Sequence, residues 1–141
     1  MPVLCRFHIW SRAAAGALFP LLGLGCSDAL GPSACLGGMS FVVGTGTQPT
    51  FDWQPACGVN ALTVRAVESP DKVLWGLGSP STSNAVHPPI RYGTIPPGAS
   101  GSASAPALLT GSTYRLTLYV WLENPISPSQ QQVLDSVDFV P

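Results

Sequence analysis

Apolar residues are spread along this chain in two different ways. From Ala13 to Leu24 they form one unbroken run of 12 apolar or small residues, whereas beyond Gly38 they recur in short stretches bounded by Gly, Pro, Ser and Asn. The short stretches read as strands, and none carries a helical period. Phe41-Val42-Val43 and Thr50-Phe51-Asp52-Trp53 flank a loop of turn formers, Gly44 to Pro49. A hairpin centred on residue 46 pairs positions whose numbers sum to about 92, which sets Phe41 against Phe51 and Cys35 against Cys57. Ala61 to Ala66 alternates apolar and polar, and Lys72 to Leu77 follows after a Glu68-Ser69-Pro70-Asp71 turn. Beyond a Ser/Pro/Asn loop, Ile90-Arg91-Tyr92 is a short strand, and the Gly/Ser/Ala stretch Gly98 to Pro106 is expected to be mobile. Tyr114 to Leu122 is the clearest strand, with Tyr114, Leu116, Leu118 and Val120 on one face; Gln132 to Val140 closes the chain. About seven short strands predict an all-β fold, an antiparallel two-sheet β-sandwich.

The long apolar run has another meaning. It is too short for a spanning helix, which needs about 20 residues. Arg6, His8 and Arg12 lie at or before its start, and no Asp or Glu occurs before Asp28. Residues 1–25 therefore read as a signal peptide. The run ends in Leu22-Gly23-Leu24-Gly25-Cys26, which resembles the lipobox of bacterial lipoproteins, although Gly23 stands where that pattern prefers Leu. The resemblance implies acylation of Cys26 and a membrane partner through the N-terminal lipid, at the outer membrane or cell surface. Cleavage nearby without a lipid, giving a periplasmic or secreted protein, is the alternative. Residues 26–39 then read as a flexible Gly/Ser/Ala/Pro tether and 40–141 as the sandwich domain.

Composition agrees with strands joined by turns. Gly and Pro number 15 each, hydrophobic residues make up 45 %, and charged residues only 9 %, against an average of roughly 25 %. The net charge of −1 offers no basic patch for nucleic acid. Export leads to a compartment where disulfides persist. Removing the leader removes Cys5 and acylation occupies Cys26, which leaves Cys35 and Cys57 to pair as a disulfide. Two cysteines do not make a zinc site.

Candidate chemistry is sparse. Without the leader the histidine that remains is His87, read as a solvated loop residue, and no Gly-x-Ser-x-Gly elbow occurs. The acids are scattered singly apart from Asp135 and Asp138, which are three apart on a strand and point to opposite faces. Neither a metal nor a cofactor is expected, and the chain reads as non-catalytic. Aromatic residues are the suggestive set. Trp53 and Tyr114 are expected in the structural core. Tyr119 and Trp121 fall on the face opposite Tyr114 and Leu116, where they form a possible binding face for a sugar ring or a protein partner. A loop such as Gly93 to Pro106 folded over them is the competing expectation.

Two stretches resemble a fibronectin type III or related immunoglobulin-like domain. Pro49-Thr50-Phe51-Asp52-Trp53-Gln54-Pro55 is similar to that family's B strand. Leu109-Thr110-Gly111-Ser112-Thr113-Tyr114-Arg115-Leu116 is similar to its Leu-x-Pro-Gly-Thr-x-Tyr stretch, with Thr110 in place of the proline. Ile90-Arg91-Tyr92-Gly93 with Pro96-Pro97-Gly98 is similar to a stretch of small bacterial envelope proteins. The resemblance implies that Tyr114 is the tyrosine-corner residue, its hydroxyl bonding back to the main chain. It carries little about function, since this fold hosts many roles. The chain as a whole reads as a structural or protein-interaction module, with a carbohydrate-binding module using Tyr119 and Trp121 or a secreted accessory subunit as the alternative roles.

Overall fold

The computed structural model describes residues 35–102, 104–122 and 130–141. The leader and Cys26 lie outside the described residues. Eight strands form two antiparallel sheets: β1 (Ser40–Val43), β2 (Thr50–Gln54), β3 (Ala61–Ala66), β4 (Val73–Gly78), β5 (Ile90–Arg91), β6 (Ser100–Gly101), β7 (Tyr114–Leu122) and β8 (Gln130–Phe139). One sheet has the order β1-β2-β5, the other β6-β4-β3-β7-β8. The fold is a β-sandwich. Alternation decides which side chains enter it, because successive residues of a strand face opposite ways. Phe51 and Trp53 enter from β2, Leu62 and Val64 from β3, Trp75 and Leu77 from β4, and Tyr114, Leu116, Leu118 and Val120 from β7; all are buried.

Aromatic rings join the two layers. Phe51 meets Tyr92 edge-on with centroids 6.5 Å apart and Phe139 at 5.4 Å, while Tyr92 tilts against Trp75 at 5.1 Å. Such offset contacts add to the burial of area. The polar ends of two of these core rings find main-chain partners. Trp53 Nε1 donates to the Cys57 carbonyl (3.0 Å) and the Tyr92 hydroxyl to the Pro106 carbonyl (2.9 Å). The Tyr114 hydroxyl accepts from the Leu109 N–H (2.9 Å), across a turn in which Ser112 N–H donates to the Leu109 carbonyl. Gly111 occupies the third position of that turn with φ +85°, a conformation that a side chain there would strain.

The β1–β2 register differs by two residues from the one that turn composition predicts. Phe41 faces Trp53, and Val43 faces Phe51. The Gly44 N–H donates to the Thr50 carbonyl (2.8 Å), which moves the turn's centre from residue 46 to residue 47. A shift of two leaves each side chain on the same face. Cys35 and Cys57 are disulfide-bonded, with Cα atoms 6.1 Å apart, but not as ladder partners. The chain turns at Cys35 to Gly38 before β1 begins, and both cysteines are buried in the core. The folded unit therefore includes Cys35, inside the segment read as tether. A second correction concerns Gly98 to Pro106. That stretch holds β6, which pairs Leu77 with Gly101 and Gly78 with Ser100 along the free edge of β4. The approach is so close that a Cβ on Gly101 would lie 2.5 Å from the Gly76 carbonyl oxygen. The opposite edge, β8, is blunted by a bulge at Leu134 and by Asp135 on the core-side row, opposite Leu118.

Removing the disulfide by a Cys35→Ala/Cys57→Ala double substitution is expected to lower stability by about 3 kcal/mol, since the bond closes a loop of 22 residues in the unfolded chain. Urea denaturation of the oxidised protein and the variant checks this; equal midpoints would contradict it. A second expectation concerns Tyr92. Burial, reinforced by the neighbouring Tyr114, pushes its phenol up to about 12. In the unfolded chain it ionises near 10. Between those values the folded form holds a proton that the unfolded form has released, so stability falls as pH rises through that window. Denaturation curves at pH 9 and pH 11 should differ less in Tyr92→Phe than in the wild type.

Candidate functional site

The outward face of the five-stranded sheet is built in rows, each set by the pairing of β4, β3, β7 and β8. The first row is Val73, Arg65, Arg115 and Asp138. The second is Gly76, Thr63, Thr117 and Ser136, and the third Gly78, Ala61, Tyr119 and Val133. Trp121 and Gln131 follow as a pair beyond the end of β3. The middle of this face therefore carries glycine, alanine and hydroxyl residues, while larger side chains stand at its two ends.

That distribution leaves a groove of about 420 Å³. Ala61, Thr63, Gly76 and Gly78 form the floor, Tyr119 and Gln131 one side, Arg65 one end, and Ser100 and Gly101 the rim on β6. Thr63 Oγ1 is buried in the floor with no hydrogen-bond partner among the described residues. Arg65 and Arg115 are directly opposed on neighbouring strands. Like charges so placed repel. Arg115 is neutralised: it grips Asp138 through two bonds, Nε to Oδ1 at 2.7 Å and Nη2 to Oδ2 at 2.9 Å. Hydrogen bonding from Arg115 holds the Asp138 carboxyl below its ordinary value. Arg65 instead donates from Nη1 to the Pro70 carbonyl (2.7 Å), and no carboxylate among the described residues lies within ion-pair reach of it. Among the described residues the groove lining contains no carboxylate either.

One end of the groove is held by two asparagines. Asn84 pairs with the main chain of Trp121 as a strand would, accepting from its N–H (2.7 Å) and donating to its carbonyl (2.9 Å). Buried Asn60 donates to the Ser81 and Ser83 carbonyls, and its Oδ1 accepts from Gln131 Nε2 at 2.6 Å. The Val59–Val86 bridge anchors the same loop. These contacts fix Gln131 in the groove wall. Sequence reasoning singled out none of Asn60, Asn84, Arg65 or Gln131. The Ser/Pro/Asn composition of the Gly78 to Pro89 loop named a turn region and gave no sign of its pairing partner.

The residues singled out from the sequence fall as follows. Trp53 and Tyr114 are buried. Tyr119 and Trp121 share the outward face, both half-buried. Tyr119 lines the groove, and Trp121 lies beyond the groove-lining set, its main chain clamped by Asn84. Among its described residues, the Gly93 to Pro106 segment reaches the groove at its far rim, through β6. His87 is exposed on its loop, and among the described residues no three His, Cys, Asp or Glu side chains gather.

Asn84→Ala removes both bonds to Trp121 and is expected to cost about 2 kcal/mol. Faster hydrogen exchange at the Trp121 amide, at unchanged exchange in β2, would report the local loss; unchanged exchange at Trp121 would contradict the clamp. No protein-family description matches the chain, and neither a curated protein nor a solved structure is significantly similar to it.

Proposed function

We propose that this chain is an exported, non-catalytic envelope protein: a disulfide-braced immunoglobulin-like sandwich, held to a membrane by a lipid on Cys26, that presents the outward face of its larger sheet for recognition. The observation that carries the reading is the buried Cys35–Cys57 bond, since such bonds persist in oxidising compartments outside the cytoplasm. The leader pattern of residues 1–25 supplies a route there. Cys35 enters the core nine residues after Cys26, a spacing that leaves a short tether between lipid and domain.

The strand order supports the fibronectin type III or immunoglobulin-like reading. Taking β1, β2 and β5 as A, B and E, the other sheet reads C′-C-F-G through β4-β3-β7-β8. Tyr114 at the head of β7 bonds back to Leu109, as a tyrosine corner does. A fold of this kind carries many roles, so the role is argued from the groove. Its small floor, the Tyr119 ring and an Arg65 guanidinium that meets no carboxylate among the described residues suit binding.

Expression of the full chain in a bacterial host and separation of membrane from soluble envelope fractions tests the anchor. The wild type is expected in the membrane fraction and Cys26→Ala in the soluble one, with loss of incorporated fatty acid. Identical fractionation of the two proteins would remove the lipid and favour simple secretion.

A further inference from the structure

We infer that the groove on the outward face binds an acidic glycan, a sugar ring lying against Tyr119 and a carboxylate meeting Arg65. The inference rests on reading this face as a recognition surface and gives that surface a ligand class.

Size is the first argument. A shallow, open groove of about 420 Å³ has room for a small ligand laid along the sheet surface. Arg65 and Ala61, the residue opposite Tyr119, are four apart on β3, which places the two ends about 13 Å apart along the strand. Two linked sugar rings fit that length. A protein strand would instead seek a sheet edge, and β8 is guarded by its bulge and by Asp135.

Chemistry is the second argument. Sugar rings present an apolar face of C–H bonds and a periphery of hydroxyls. Tyr119 offers a ring for the first, and Gln131 and Ser100 offer donors and acceptors for the second. The floor at Gly76 and Gly78 has no side chains to obstruct a flat ligand. Gln131 is held in place by Asn60, so little freedom is lost when it binds.

Charge selects the class. Among the described residues Arg65 is the charged residue in the lining and faces no carboxylate, while its neighbour Arg115 is already occupied by Asp138. The Pro70 carbonyl uses one donor of Arg65 and steadies its guanidinium, leaving the rest of the donor fork for a planar anion. A uronate carboxylate has that shape. A neutral glycan would leave the cation without a counter-charge.

Isothermal titration of the oxidised, purified chain with oligogalacturonate and with a cello-oligosaccharide of equal length tests the inference. Oligogalacturonate is expected to bind, more weakly as salt rises, and the neutral oligomer to bind at least tenfold more weakly. Arg65→Gln should weaken oligogalacturonate about tenfold, the usual weight of a charge-assisted bond. Tyr119→Leu, which keeps apolar bulk and removes the ring, should weaken it comparably. Arg91→Gln on the other sheet should leave it unchanged. No binding of oligogalacturonate, equal binding of the neutral oligomer, or full binding by Arg65→Gln would each overturn the inference. Circular dichroism and thiol counts on every variant exclude misfolding. A wild type that stays membrane-held and oxidised yet binds no acidic oligomer counts against the groove alone, not against the envelope reading.

Discussion

Phe51 stands where the two sheets meet, edge-on to Phe139 from the larger sheet and to Tyr92 beyond the end of β5. This cross-layer contact ties the two sheets together. Two small sheets have little area with which to exclude water, and in a domain of this size marginal burial is the rule. Large rings solve the problem by covering much area per residue at low rotamer cost. Trp53, Trp75 and Tyr92 extend the same cluster, and the chain's scarcity of charge leaves few ions to be kept out of it.

Short strands need fastening at their ends, where ladder bonds run out. The disulfide does this beside β2, joining the chain before β1 to the chain after Gln54. Asn84 does it at the far end of β7, its side-chain amide standing in for a neighbouring strand, and Asn60 ties down the adjoining loop through the Ser81 and Ser83 carbonyls. Tyr114 does it at the near end through Leu109. The disulfide holds covalently, while the three polar side chains satisfy main-chain groups that would otherwise be left without partners next to the core.

With the inner face committed to packing, the outer face is free to differ. On β7 the same stretch that sends Leu116 and Leu118 inward sends Thr117 and Tyr119 outward. Small residues on β3 and β4 (Ala61, Gly76 and Gly78) then lie beside Tyr119 on β7, so the relief of the groove follows from cross-strand pairing. Its cation is left over from an arrangement of two opposed arginines and one aspartate.

The sequence by itself determined the class of fold, the faces of the strands and the cysteine pair. Fold class and strand faces follow from local period and turn composition, which act over a few residues, and the cysteine pair from elimination along the chain. Tyr114 to Leu122 was legible as a strand to the residue. Register was less legible. The β1–β2 turn tolerates a two-residue shift without moving any side chain across the sheet, so the pattern gives no penalty that would choose between the alternatives. β6 was invisible, because Ser100-Gly101 has no strand propensity and forms only where β4 offers an unpaired edge. Only the tertiary structure decided the site. Arg65, Tyr119 and Gln131 are far apart in the chain and meet through pairing of β3 with β7 and of β7 with β8. What made Tyr119 a groove wall was the absence of side chains on Gly76 and Gly78, residues that read in the sequence merely as weak points of a strand.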